Sequence, residues 1–117
     1  MWMERATVDF TNTFRALTRQ EPVPGLEEWR ARWNARLQRQ PQPQRDVEAL
    51  MRGHNPAFIP RNHLVERALR AATDDHDLSA TAQLLEVLAR PYDHDHHLPE
   101  FVSPGPRDDR YRTFCGT

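Results

Sequence analysis

The chain has 117 residues, which fits one small domain or a part of a larger protein. Hydrophobic residues make up 38%, below the usual ~45–50%, so part of the chain should lie outside its own core or pack against another polypeptide. The formal net charge of -1 gives no electrostatic case for binding nucleic acid or an anionic membrane.

All 16 basic residues are Arg, which excludes a catalytic lysine of the Schiff-base, phosphate-binding or kinase kind. The single cysteine excludes an internal disulfide framework and a zinc site built from several cysteines. No apolar run is long enough for a transmembrane helix, and the first residues lack the apolar stretch of a signal peptide. We therefore expect a cytoplasmic protein.

The first half of the chain contains two amphipathic patterns. Residues 7–19 are predicted to be helical because Phe10, Phe14 and Leu17 recur at the spacing of one helical face. The break at residues 22–25 precedes the clearest predicted helix, residues 26–38, whose apolar stripe consists of Leu26, Trp29, Trp33 and Leu37.

The second half contains three predicted helices. An exposed linker, residues 40–44, precedes a short helix over residues 45–52, which Gly53 is expected to end. Asn62 is the predicted N-cap of a helix over residues 63–72, and a further helix over residues 78–89 stops before Pro91. The turn between these two helices, residues 73–77, predicts an antiparallel hairpin and the most stable unit of the chain. Its expected buried residues include Leu64, Leu69, Leu85 and Leu88.

The predicted fold class is all-α, a small helical module of four or five helices with an irregular Pro-rich C-terminal tail. No stretch alternates as a strand would, and only 4 residues are Gly. We place the helical module at residues 1–90 and the tail at residues 91–117, because prolines and acidic residues without periodicity follow Pro91.

Two constellations suggest binding sites but have simpler explanations. Residues 93–97 read DHDHH, which offers metal-ligating side chains, but a flexible acidic loop of this spacing is more typical of solvated surface. Trp29 and Trp33 could stack on a base or a cation, but at this spacing on an apolar stripe they are more typical of packing. We therefore predict no metal, cofactor-binding or catalytic residue in this chain.

The only cysteine, Cys115, lies near the C-terminus, where a thiol is not easily buried. Arg110 and Arg112 precede it, and nearby positive charge favours the reactive thiolate. The residue is either a chance exposed cysteine or a redox group. Because the chain has no second cysteine, any disulfide must form with another molecule, and oxidation of the isolated chain should give a disulfide-linked dimer or a glutathione adduct.

Three segments resemble one family in order and spacing. Residues 8–17, VDFTNTFRAL, resemble the family's (V/A)D(Y/F)TxTFRxL helix, and residues 55–64, NPAFIPRNHL, are similar to its NPxxxxRNxL element. Residues 84–92, LLEVLARPY, resemble its helix ending in L(R/A)xP(Y/F), which a near-terminal cysteine follows. One departure is Pro60, where the family usually has an aliphatic residue. The family is selenoprotein O, also called YdiU, and the resemblance covers its C-terminal region.

The resemblance implies a parent activity. Members of the family are pseudokinase-like protein adenylyltransferases that use ATP and Mg or Mn to place AMP on protein hydroxyls. Their nucleotide- and metal-binding residues lie upstream, so the isolated chain is expected to be inactive and to partner a kinase-like catalytic core, in cis or in trans. The sequence also predicts that an exposed apolar patch remains around Trp2, Phe10, Phe14, Trp29 or Trp33, where a catalytic core would pack. Cys115 occupies the position of the family's C-terminal cysteine, which implies redox control through a disulfide to the catalytic domain. The alternative is a stand-alone helical protein-interaction module without nucleotide chemistry.

Overall fold

A computed structural model describes residues 2–106, apart from the side chains of Trp2 and Glu4. Within this range the regular structure is helical and contains no strand, which confirms the all-α prediction. The seven helices of this range, in chain order, are α1 Trp2–Arg5, α2 Phe10–Thr18, α3 Glu27–Leu37, α4 Gln44–His54, α5 Asn62–Asp74, α6 Ser79–Leu88 and α7 Pro99–Val102.

The hydrophobic core lies in the second half of the chain. Helices α5 and α6 pack against each other across a short turn, as the hairpin prediction required. The loop before α5 and the short helix α7 close the core from the sides. Its buried residues are Ala57, Phe58, Leu64, Ala68, Leu84 and Phe101.

The first half of the chain is less deeply packed. Helix α2 contacts α4 and buries Thr13, Leu17 and Thr18. Helix α3 has no buried residue, although Leu26 immediately before it is buried. The described part of the chain is elongated, with principal extents of 55 × 29 × 25 Å.

Two predicted helix ends are wrong. Gly53 lies inside α4, which continues to His54 and ends with the Asn55 amide donating to the Met51 carbonyl. Asn62 is the first residue of α5 and not its N-cap; Arg61 takes that position with an extended backbone and no side-chain capping bond. In both cases the residue that flanks the helix, Asn55 after α4 and Arg61 before α5, is held by tertiary hydrogen bonds.

Two of the four leucines predicted to be buried are exposed. Leu64 is buried and Leu88 is half-buried against the core, but Leu69 and Leu85 are 56% and 62% exposed. In α6 it is Leu84 that enters the core. A shift of one residue rotates a side chain by about 100° around a helix, which separates the buried Leu84 from the exposed Leu85.

The segment after Pro91 is not irregular throughout, because residues 99–102 form α7. The Pro91 carbonyl accepts hydrogen bonds from the amides of Ala57 and Phe58, at 2.7 and 3.2 Å. Gly105 has a positive φ of 73° and packs so closely on the His63 ring that a Cβ would collide with it. Residues 91–106 therefore pack onto the helices that precede them, while the domain boundary at residue 90 stays a prediction.

Candidate functional site

The residues of the predicted motifs meet at a buried ion pair. Arg61 donates from Nη1 to Asp9 Oδ2 at 2.7 Å and from Nη2 to Asp9 Oδ1 at 2.9 Å, which is a bidentate pair. The side chains of Arg61 and Asp9 are only 8% and 22% exposed. This pair joins the start of α2 to the start of α5, which are distant in sequence.

Two further groups complete the Arg61 junction, which we define as Asp9, Asn12, Arg61 and the Val102 carbonyl. That carbonyl, at the end of α7, accepts from Asn12 Nδ2 at 2.8 Å and from Arg61 Nη2 at 3.1 Å. Arg61 Nη2 also lies 3.3 Å from Asn12 Oδ1. Helices α2, α5 and α7 are thus held together at one point.

Asp9 has two structural roles in this junction. Besides pairing with Arg61, its Oδ1 accepts from the Asn12 amide at 2.8 Å and so caps the N-terminus of α2. The hydrogen bond from Arg61, followed by that from the Asn12 amide, lowers the pKa of the Asp9 carboxyl, although burial opposes the shift. Asp9 is therefore a carboxylate at neutral pH, and its lowered pKa favours pairing over proton transfer.

A second junction surrounds His94, which is 1% exposed. His94 Nε2 donates to the Asn55 carbonyl at 2.7 Å, since a carbonyl can only accept, and Arg19 donates to the His94 carbonyl. Asn55 in turn donates from Nδ2 to Thr18 Oγ1 at 3.0 Å. The His94 junction, Thr18, Arg19, Asn55 and His94, ties the end of α2 to the end of α4 and to the loop after α6.

Burial lowers the pKa of the His94 imidazole, and the positive charges of Arg52, Arg15 and Arg19 lower it further. The hydrogen bond to the Asn55 carbonyl opposes that shift. His94 Nδ1 is buried and has no hydrogen-bond partner within residues 2–106. A neutral, enclosed imidazole of this kind is a packing residue and is poorly placed to bind a substrate.

The acidic and histidine-rich segment at residues 93–97 does not converge on one point. His94 is turned into the protein, Asp95 pairs with Arg52 at 3.1 Å, and Asp93 lies 4.0 Å from Arg90. Across the described part of the chain, no group of three or more His, Cys, Asp or Glu residues is arranged to hold a metal ion. Cys115, the predicted redox residue, lies outside the described residues.

The predicted apolar patch of aromatic residues is partly exposed. Phe10 and Trp29 are 61% and 41% exposed, whereas Phe14 and Trp33 are half-buried. Trp29 and Trp33 stack on each other with ring centroids 5.8 Å apart, and Phe10 lies 4.7 Å from Phe14. The two rings of each pair therefore pack against each other. The Trp2 side chain, also part of the predicted patch, lies outside the described part of the chain.

One small cavity lies beside the core. Its volume is about 130 Å³, and its lining includes the apolar side chains of Phe58 and Phe101. Glu86, Arg90 and His96 also line it. This volume is well below the roughly 300–1,000 Å³ of a typical ligand pocket, so the cavity has no room for a nucleotide.

The junction residues were missed by sequence reasoning, although the motifs that contain them were found. Asp9 had a usable signal, since an acidic residue directly before a periodic segment is a typical N-cap. Arg61 and His94 had none, because a charged or polar residue in a loop is normally solvated. Only the folded chain brings their partners to them.

Comparison with known proteins places the chain in a family. A protein from Syntrophotalea carbinolica named protein nucleotidyltransferase YdiU is 46% identical over an alignment of 123 positions, which covers 98% of this chain and 25% of that protein. Proteins of the same name from Bacillus mycoides and Alcanivorax borkumensis are 44% and 43% identical, with 25% and 26% of their lengths covered. No family profile matches the chain, and no solved structure matches it.

The relatives share the name of a class of enzyme, the protein nucleotidyltransferases. The chain belongs to the YdiU family, as its three motifs predicted, and it spans about a quarter of the length of the curated relatives it matches. This share agrees with the expectation that it corresponds to the family's C-terminal region. None of the helices described in residues 2–106 combines the length and apolar character that a bilayer crossing requires.

Proposed function

We propose that this chain is the helical C-terminal part of a protein adenylyltransferase, which transfers AMP from ATP to Ser, Thr or Tyr hydroxyls of other proteins. In that reaction the hydroxyl oxygen bonds to the α-phosphorus, and pyrophosphate leaves. The observation that carries the proposal is the 46% identity to a protein nucleotidyltransferase over 98% of the chain. The chain itself would act as a non-catalytic partner of a kinase-like core in the cytoplasm.

In this proposal, ATP and its metal ion bind outside the described residues. Nucleotide transfer depends on fixed charges around the phosphates, usually a metal ion with Lys or Arg and a shaped loop. The chain has no Lys, and residues 2–106 provide no cluster that could hold Mg or Mn. Arg61 and Arg19 are already engaged in the two junctions. The resemblance to the family assigns ATP and metal binding to its kinase-like core, and these observations agree with that assignment.

The motif residues support a structural contribution to that enzyme. Asp9 and Arg61 come from different family-like segments and form a bidentate pair. Their pairing fixes α2, α5 and α7 as one unit, which can be presented to a catalytic core as a preformed surface. In this interpretation the resemblance to the family reflects a common packing arrangement in this quarter of the protein.

The most direct test replaces the matching segment of the Syntrophotalea carbinolica relative with this chain. We call the resulting full-length protein the chimera. The unmodified relative and a version without the segment serve as controls, and AMP transfer from labelled ATP to protein is the readout. We expect activity in the chimera and loss of activity without the segment. A folded chimera that transfers no AMP, beside an active relative, would contradict the proposal.

Cys115 is the proposed redox group of this unit. Formation of a disulfide with a cysteine of the catalytic core would remove two thiol protons and two electrons, which an oxidised thiol such as glutathione disulfide can accept. The isolated chain should react rapidly with a thiol reagent under native conditions, and Cys115→Ser should abolish that reaction. Labelling that requires denaturant would remove the basis for this role. In the chimera, Cys115→Ser should leave basal AMP transfer intact and abolish its sensitivity to mild oxidation.

A stand-alone protein-interaction module is the second candidate. It is favoured by the exposed rings of Phe10 and Trp29 and by the chain's own hydrophobic core. This function predicts that the chimera is inactive while the isolated chain folds cooperatively and binds an unrelated protein. The chimera assay therefore separates the two candidates.

A further inference from the structure

Helix α6 has apolar residues on more of its circumference than the core covers. Leu84 is buried in the core, and Val87 and Leu88 pack against it. A surface helix normally has one apolar stripe toward the core and a polar opposite face, whereas a helix with a wider apolar surface is covered on more than one side. The additional apolar surface of α6 thus needs an explanation.

The additional residues form a second stripe, which we call the outer stripe: Leu78 just before the helix, Ala82 and Leu85 within it, and Ala89 at its C-cap. Their spacing of four, three and four residues places them on one helical face and matches the seam of a two-helix contact. All four are exposed, Leu78 and Leu85 by 64% and 62%. None of them is charged.

The composition of the outer stripe suits a helix as its partner. Leu78 and Leu85 provide two protruding side chains one heptad apart, Ala82 leaves a shallow gap between them, and Ala89 leaves another beyond Leu85. Large residues of a facing helix can enter such gaps, as in other helix pairs with interlocking side chains. The polar residues Gln83 and Glu86 lie to one side of the stripe, so a partner helix with one apolar face and polar flanks fits best.

We propose that the outer stripe is the surface on which an amphipathic helix of the remaining YdiU protein docks. This inference rests on the proposed function. The chain covers only 25% of the relative that it matches at 46% identity, so three quarters of that protein lies outside this segment and can supply the docking helix. A segment of the same polypeptide can bind a small apolar stripe because its linkage holds it nearby at high effective concentration.

A second copy of this chain is a poorer occupant. A stable dimer interface usually buries about 1,200–2,000 Å² in total, and two leucines with two alanines on each chain supply only a minor part of that area. Separate chains must also offset the translational and rotational freedom lost on association. The test below therefore includes self-association of the chain as an outcome that would contradict the proposal.

The test measures the accessibility of position 85 in the isolated chain and in the chimera. Both carry Cys115→Ser, so that Leu85→Cys supplies the segment's only thiol, and modification by N-ethylmaleimide is followed at that site by mass spectrometry. Leu50→Cys on α4 is the matched control, because Leu50 is 63% exposed. We expect the position-85 thiol to react at least about tenfold more slowly in the chimera than in the isolated chain, and the position-50 thiol to react similarly in both.

Equal labelling of position 85 in the two proteins overturns the docking proposal. If that chimera still transfers AMP, only the docking proposal fails; if a folded chimera transfers none, the proposed function fails. Protection of both thiols overturns the assignment to α6, because the core would then cover the module without preference. Slow labelling of position 85 in the isolated chain, together with a dimer mass by light scattering, identifies a second copy as the occupant. That result also overturns the docking proposal.

Discussion

Replacement of Arg61 by alanine removes the group that joins three helices. The Asp9 carboxylate loses both hydrogen bonds of the bidentate pair, and the Val102 carbonyl loses one of its two donors. Removal of one partner from a buried ion pair costs about 3–5 kcal/mol in unfolding free energy. Because the Asp9 side chain is 22% exposed and can regain water, we expect a loss near the lower limit, about 3 kcal/mol.

Urea unfolding followed by circular dichroism at neutral pH measures this loss. Arg45→Ala is the control, since Arg45 and Asp46 form a pair at 3.4 Å whose side chains are 87% and 58% exposed. Removal of such a surface pair costs about 0–1 kcal/mol. Arg61→Lys should lie between wild type and Arg61→Ala, because an ammonium group keeps the charge but not the bidentate geometry. A cost for Arg61→Ala no larger than that for Arg45→Ala would refute the central role of this junction.

Three further predictions concern the buried face of α6, the buried imidazole of His94 and the activity of the isolated chain. Leu84→Ala should lower the unfolding free energy by about 2–5 kcal/mol, because Leu84 lies in the core. Leu85→Ala should change it by no more than about 0.5 kcal/mol, because Leu85 is exposed. Equal losses for the two variants in urea titrations would contradict the assigned helix face. Burial lowers the pKa of His94 in the folded state, so the unfolded chain takes up this proton at a higher pH than the folded chain does. The unfolding free energy should therefore fall as pH drops below about 6.5 and level off below the folded-state pKa. A His94→Gln variant with the same pH dependence would contradict this. The isolated chain with ATP and Mg or Mn should transfer no AMP, and labelled protein in that mixture would contradict the account.

The helices were predictable because their signals are local. The periodic residues Phe10, Phe14 and Leu17 identified α2, and Pro91 was a reliable stop after α6. The ends of the helices were predicted less reliably, because tertiary contacts compete there with the local preference of the residues. Gly53 stays helical because Asn55, two residues later, is the position fixed by the His94 junction.

The position of buried polar groups was not predictable. His94 lies in an acidic loop that is expected to be solvated, yet it is buried, with its ring bonded to the Asn55 carbonyl and its backbone carbonyl bonded to Arg19 at the C-cap of α2. Leu85 was assigned to the core because α6 is apolar on both sides, and periodicity alone cannot tell which apolar face meets the core. The same ambiguity marks the outer stripe as a surface that other parts of the protein can cover.

The rate of AMP transfer by the chimera is the sharpest test of our proposal that this chain corresponds to the C-terminal unit of a protein adenylyltransferase. We expect a rate well above that of the relative without the segment, and loss of that rate in the Arg61→Ala chimera when its segment unfolds. A chimera that folds, contains the Arg61 junction and still transfers no more AMP than the relative without the segment would contradict the proposed function.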